Sequence, residues 1–220
     1  DQSAIVANLR MEHGHANTAW QRFMPTGPLA VLPLPGDFAS IVWTTTPENA
    51  AELLDTDSET FNRAVEEAFE SRRGAVLWSA QRASFPLHRV SVAEYAGHRV
   101  ALTGDAAHAI HPLAGQGLNL GLMDAAALAE VISHTASRGR DFGGQAALAR
   151  YQRWRKAHNV GVQNSMDVLR WLFGERAAPV RALRNLGLTA VDSSGPIKRQ
   201  LARLACGLSG DLPSRAQARY

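Results

Sequence analysis

The sequence has one cysteine, Cys206, in 220 residues. A lone cysteine excludes an intrachain disulfide and a cysteine-rich metal site, and it fits a reducing compartment, as an inert thiol rather than a reactive one. Long apolar runs are missing too, and none approaches the ~20 residues that a membrane-spanning helix needs. No basic-then-apolar leader follows Asp1, so no secretory signal is expected. A Gly-x-Ser-x-Gly elbow is absent, which leaves serine-hydrolase chemistry without support. Repeats and low-complexity segments are also absent. What remains is 45% hydrophobic and 20% charged, an ordinary globular composition that favours a packed core over disorder. The length fits one large domain or two small ones.

The net charge of +3 conceals an asymmetry. Residues 1–137 carry 8 arginines against 15 acidic residues, a balance of −7. Residues 138–220 carry 13 arginines and 2 lysines against 5 acids, a balance of +10. A basic segment of this kind either meets an anionic partner or is a well-solvated helical surface. Nucleic acid is not expected as that partner, because no recognition motif is present and the front of the chain is acidic.

The first ~47 residues read as sheet. Ala4–Arg10 and Thr18–Phe23 mix apolar and polar residues, while Gly27–Leu34 and Phe38–Thr46 flank a Pro35-Gly36-Asp37 turn. Pro28, Pro33 and Pro35 predict an edge strand or a bulge in the first of that pair. Thr56-x-x-Glu59 predicts a capping box ahead of a helix whose stripe is Phe61, Val65, Ala68 and Phe69. Ala75–Phe85 predicts a strand that ends at Pro86. Arg99–Thr103 predicts a strand buried on both faces, followed by a loop to about Gly115 and a helix from Gly117 to about His134. Beyond the boundary at Ser137–Gly144 the chain reads as helical. The expected elements are one long helix or a broken pair through Phe173, a second over Pro179–Val191 and a last over about Pro196–Leu208. That last helix opens on a proline and carries the stripe Ile197, Leu201, Leu204, Ala205 and Leu208.

Strand, polar loop and helix is the layout of a ligand site in α/β proteins, where ligands lie beyond the carboxyl ends of the strands. Asp105, entering the loop, can accept hydrogen bonds from a sugar-like hydroxyl. Gly104 permits close backbone approach, and Gly115-Gln116-Gly117 lets the chain run past a flat ligand into a helix. The amides of Gly117, Leu118 and Asn119 then face whatever sits above the helix start, a ready anion site. Taken alone, the glycines are explained better by tight helix packing, and their spacing is not the dinucleotide fingerprint. His108 and His111 have a spacing that could suit a metal pair with Asp105, but no further cluster completes such a site. His88 and Arg89 are read either as contacts to a ligand or as surface and packing residues.

The whole string Gly104–Asp124, GDAAHAIHPLAGQGLNLGLMD, is far more specific than its parts. It resembles the second flavin-binding motif of the para-hydroxybenzoate hydroxylase-like flavoprotein monooxygenases. The segments Ala19–Leu34, Ser84–Leu87, Leu183–Leu188 and Gly207–Pro213 further resemble the ubiquinone-biosynthesis hydroxylases of the 2-octaprenyl-6-methoxyphenol hydroxylase type. The resemblance extends over essentially the whole chain. It implies an α+β / α/β fold with a substrate-side β-sheet, the returning part of the FAD-binding domain and a C-terminal helical region. The implied domain spans are 1–90, 91–137 and 138–220.

The resemblance also assigns roles. Asp105 would bond the ribityl chain of FAD, Gly104 would belong to the cofactor site through close backbone approach, and Pro112 would lie beside the flavin ring. Gly115, Gln116, Gly117, Leu118 and Asn119 would line that ring, with the last two amides at its pyrimidine end. Asp124 would be structural. Phe85 and Pro86 would touch the aromatic substrate, and no catalytic base is nominated. The implied reaction is hydroxylation of a polyprenylated phenol with NAD(P)H and O2. The implied location is the cytoplasm, with peripheral contact to the inner membrane or a ubiquinone-pathway complex through the basic C-terminal helices. Two family features, an N-terminal GxGxxG unit for the ADP half of FAD and a central Asp-Gly motif, are not in this sequence. The expectation is therefore a C-terminal fragment lacking ~150 residues, inactive by itself. The alternatives are a non-catalytic assembly or membrane-docking module of the same fold, and a hydroxylase of a soluble phenol.

Overall fold

The computed structural model describes residues 2–110, 115–175, 177–205 and 211–217. The chain divides into two compact units, Asp1–His88 with Phe173–Glu175, and Arg89–Leu172 with Arg176–Tyr220.

The first unit is an antiparallel sheet covered on one face by two helices. Strands β1 (Gln2–Met11), β2 (Trp20–Met24), β3 (Gly27–Pro33) and β4 (Phe38–Thr45) precede helices α1 (Pro47–Asp55) and α2 (Ser58–Ala68). Strands β5 (Val76–Ser79) and β6 (Ala83–Leu87) follow. The order is β2-β3-β4-β1-β5, with β6 also pairing β1. Period-two alternation sends Ile5, Ala7, Leu9 and Met11 of β1 inward, where they meet Leu29, Val31, Ile41 and Trp43. Ala50, Leu53, Phe61, Val65 and Phe69 close that core from the helix side. Phe61 is fully buried, and a phenylalanine so placed contributes about 1.5–3 kcal/mol.

Several details depart from expectation. Strand β3 is interior, between β2 and β4, and not an edge. Pro28 and Pro33 stand near its two ends, where a missing N–H disturbs the ladder least. Helix α1 was not foreseen; it starts at a Thr46 cap followed by Pro47 and is only 9 residues long, too short for a clear stripe. The cap of α2 is Asp57, whose carboxylate accepts from the Thr60 amide at 2.7 Å, while Thr56 ends α1 instead. Thr60 donation holds the Asp57 carboxyl below its ordinary value. The run Ala75–Phe85 is two strands, not one. Strand β5 pairs Leu9–Met11 and β6 pairs Gln2–Val6, sharing the same side of β1 end to end. Pro86 lies inside β6, opposite Ser3, rather than terminating it.

The second unit begins with a hairpin of β7 (Ala96–Gly97) and β8 (Val100–Ala101). The strand expected over Arg99–Thr103 is thus only two residues long, and it is not buried on both faces, since Val100 is exposed. Arg99 is in the left-handed region at φ 59°, which turns the chain and limits the pairing. A single 3-10 turn, Gly104–Ala106, leads toward α3 (Gly117–Ala136). Next come α4 (Gln145–Gly174), one unbroken helix of 30 residues, then α5 (Ala178–Ser193) and α6 (Gly195–Ala205). Tyr95, Ala107, Ala127, Val131, Ala147 and Tyr151 form the second core, so α3, α4 and the loop after β8 share one interior. Leu204, Ala205 and Leu208 of the expected α6 stripe, with Cys206, lie outside the residues whose side chains are described.

Candidate functional site

Gly104 adopts φ +58°, a conformation open to glycine and costly for most other residues. From there the chain closes a tight turn, the amides of Ala107 and His108 both donating to the Gly104 carbonyl at 2.9 Å. Asp105 points out of this turn and is exposed. Its carboxylate lies against the first turn of α3, because a Cβ placed on Gly117 would stand 3.9 Å from Asp105 Oδ1.

Helix α3 begins after Gln116 with no side-chain cap at that position. Leu120 is the first residue whose amide returns to the helix, donating to the Gln116 carbonyl at 3.0 Å. The amides of Gly117, Leu118 and Asn119 precede it, are the donors that a helix start leaves without an intrahelical acceptor, and show no backbone acceptor among the described residues. Leu118 is 74% exposed, so its side chain does not cover them. Asn119 donates from its side chain to Gln116 at 3.5 Å. Gly115 has φ +61°, and nothing among the described residues would stand within 4 Å of a Cβ there. The second unit therefore brings together Gly104, Asp105, Gly115, Gln116, Gly117, Leu118 and Asn119. Pro112 and His111 lie outside the described residues.

Behind this surface is a buried polar cluster that sequence reasoning did not assemble. Asp124 of α3 is fully buried. Its Oδ2 accepts from the Gly104 amide at 3.0 Å and from His108 Nε2. Its Oδ1 accepts from Arg155 Nε at 2.7 Å and from Asn159 Nδ2 at 3.0 Å. Arg155 Nη2 donates in turn to Asn159 Oδ1 at 2.9 Å. Burial pushes the Asp124 carboxyl upward, but the four donors outweigh it and hold the group at about 2. Tyr95 stacks on His108 with ring centroids 5.6 Å apart, and burial raises its phenol. Tyr151 donates to the Leu102 carbonyl at 2.7 Å, and burial raises that phenol too.

Helix α4 supplies further ties, to the segment that leads into β7. Gln152 Oε1 accepts from the amides of Tyr95 and Ala96, and Gln163 Nε2 donates to the Val90 carbonyl at 3.0 Å. Arg89 pairs with Asp167 at 2.9 Å. The apolar stripe Leu148–Tyr151 thus continues inward as Arg155, Asn159 and Gln163, at helical spacing. That spacing was the available signal; hydropathy alone sends such residues outward. His108, whose spacing raised a metal pair, has its Nε2 bonded to Asp124.

The donor set fits FAD. An outward carboxylate can accept from ribityl hydroxyls, three adjacent helix amides can donate to the electron-rich pyrimidine edge, and side-chain-free Gly115 leaves room for a flat ring. Phe85 and Pro86 belong to the other unit, on β6, where Phe85 is 55% exposed.

The class follows from both sequence and fold: residues 3–165 match the FAD binding domain family, and the chain belongs to it. Its fold is that of FAD-dependent monooxygenases. It shares a TM-score of 0.68 at 20% identity with the p-nitrophenol 4-monooxygenase PnpA of Pseudomonas putida, over 91% of this chain and 50% of that one. Klebsiella pneumoniae HpxO, solved with FAD and uric acid, gives a TM-score of 0.63 at 16% identity over 94% and 51%.

Among named relatives, the chain is 39% identical to the mitochondrial ubiquinone biosynthesis monooxygenase COQ6 of Xenopus tropicalis, over 93% of this chain and 52% of that protein. It is 40% identical to the ubiquinone hydroxylase UbiL of Rhodospirillum rubrum, over 94% and 48%. It is 39% identical to the 3-demethoxyubiquinol 3-hydroxylase of Escherichia coli, over 94% and 53%. The chain spans about half the length of the curated relatives it matches.

Proposed function

We propose that the protein to which this chain belongs is an FAD-dependent monooxygenase that hydroxylates the aromatic ring of a polyprenylated phenol in ubiquinone biosynthesis, with NAD(P)H and O2. The observation that carries this reading is the pairing of the outward Asp105 carboxylate with the uncapped start of α3, within a chain 38–40% identical to ubiquinone-pathway hydroxylases. When bound, the flavin supplies the redox chemistry, from NAD(P)H oxidation to oxygen insertion. The residues of this chain bind and orient it. Asp105 receives the ribityl hydroxyls, and Gly115 leaves the ring face clear. The amides of Leu118 and Asn119 stabilise negative charge at the pyrimidine edge through short, fixed dipoles. Pro112 is assigned beside the ring, and Phe85 and Pro86 to the wall facing the substrate.

The test uses the full-length protein. Purified material is expected to carry a yellow flavin spectrum and to hydroxylate a short-chain polyprenyl phenol under NAD(P)H and air. Asp105→Ala is expected to weaken FAD binding at least about tenfold, or about 1.4 kcal/mol. A flavin-free protein that stays flavin-free on FAD titration would remove this reading.

We further propose peripheral contact with an anionic membrane through the C-terminal helices. Trp171, Leu183 and Leu186 are 60%, 72% and 69% exposed, and Ile197 and Leu201 are exposed as well. They stand among Arg170, Arg181, Arg184, Lys198, Arg199 and Arg203. Among the described residues no helix is long and apolar enough to cross a membrane. Basic side chains at a headgroup surface contribute ~1 kcal/mol each, and exposed leucines add apolar insertion. Full-length protein is expected to float with vesicles containing anionic lipid at low salt and to be released in large part at high salt. Flotation with neither charged nor neutral vesicles would discard the contact.

A further inference from the structure

We propose that Asp124 is a positioning residue for the flavin, acting through Asp105, with Arg155 and Asn159 of α4 as its supports; this rests on reading Asp105 and the start of α3 as the flavin contact. A buried ion pair is an unpromising way to gain stability, since well-packed apolar residues serve as well or better. What an anion with four donors provides is direction. The four come from two separate segments, Gly104 and His108 from the loop and Arg155 and Asn159 from α4, while Asp124 itself belongs to α3. One carboxylate therefore fixes the loop against both helices at once.

The local geometry carries that constraint to Asp105. Gly104 at φ +58° presents its amide inward to Asp124, and the next residue presents its carboxylate outward. His108 closes the same turn at its other end on the same carboxylate, and its backbone amide returns to the Gly104 carbonyl. The turn is clamped at both ends, with Asp105 between them. On the helix side, Gly121 meets Gly104 so closely that a Cβ on Gly121 would stand 3.3 Å from Gly104 Cα. The position of the Asp105 backbone relative to the first turn of α3 is thus set before any ligand arrives. Losing the clamp lets Asp105 wander, and the ordering then has to be supplied by the flavin itself.

A double-mutant cycle on the full-length protein tests this. FAD is titrated into the apoprotein and followed by quenching of flavin fluorescence, with visible circular dichroism of the bound flavin as a second signal. Asp124→Asn is expected to raise the Kd about tenfold or more and to alter the dichroism band. In that background Asp105→Ala is expected to add little, because the residue it removes is already misplaced. If Asp124→Asn does not fold, Asn159→Ala, which removes one donor and keeps the ion pair, replaces it, with an expected rise of about threefold and the same non-additivity. Additive effects of the two sites overturn the proposal, as does an unchanged Kd in the hub variants that fold. Absence of flavin binding by the wild-type protein removes the underlying site assignment as well, so the two failures are told apart.

Discussion

Asp124→Ala is expected to destabilise the second unit by about 3–5 kcal/mol, the loss typical of removing one partner from a buried ion pair. The side chain removed is small, so lost packing is a minor part. The cost comes from what remains. Arg155 is fully buried, and without Asp124 its Nε has no anion to meet among the described residues. His108 and the Gly104 amide lose their acceptor in the same stroke. Urea unfolding of the full-length protein, followed by a probe in the second unit, measures the change; a loss below about 1 kcal/mol would show that water or a neighbour replaces the carboxylate. Acid offers the same test without mutation. The folded carboxyl is held at about 2, against an ordinary 3.8. Because the folded value is lowered, the stabilisation is complete above the unfolded value and disappears as pH falls from about 4 to about 2. The total is about 2 kcal/mol. Asp124→Asn is expected to flatten this limb of the stability profile.

Gly121→Val is expected to cost about 3 kcal/mol and to raise the Kd for FAD at least about tenfold. Two effects compete at this position. Replacing a helix-interior glycine with alanine ordinarily gains up to about 1 kcal/mol. Here the new Cβ would meet Gly104 Cα at 3.3 Å, and a backbone atom is a poor candidate for retreat. Alanine is therefore expected to come out close to neutral, the gain in propensity offset by the crowding. Valine adds two methyl groups and a propensity penalty, so crowding wins. The loop that yields is the one bearing Asp105, which ties a packing substitution to flavin affinity. Thermal unfolding and FAD titration of both variants decide it; Gly121→Val binding FAD as tightly as wild type would mean the loop moves without consequence.

How far the sequence discloses the structure depends on which contacts shape each part. Strands β1 and β4 are legible because alternation such as Ile5, Ala7, Leu9 reflects one buried face of an antiparallel sheet. Helices α3 and α4 are legible from their length and periodicity. The β7–β8 hairpin is not, because Arg99-Val-Ala-Leu reads as an apolar run whatever it pairs with, and pairing is decided by contacts distant in sequence. The Gly104–Asp124 stretch was recognisable as a motif, and the structure sets Gly117 beside Asp105. The residues that hold it were not. Arg155, Asn159 and Gln163 look like a solvated face until the loop packed against them is known, and only their continuation of the Leu148–Tyr151 stripe hints otherwise. Asp124 shows the same limit from the other side: a helical aspartate is unremarkable until its four donors are counted.

The ties on Asp124 also constrain the order in which the protein can be made. The two donors from α4 lie 31 and 35 residues downstream of the carboxylate they bind. During synthesis the Gly104–His108 turn emerges long before Arg155 and Asn159, and until they arrive Asp124 has at most the two loop donors. The full set of four donors is assembled only once α4 has been extruded and has docked, so closing a span of this size sets when the clamp is complete. The nascent chain passes through an interval in which the Gly104–His108 turn is complete in sequence and its clamp on Asp124 is not.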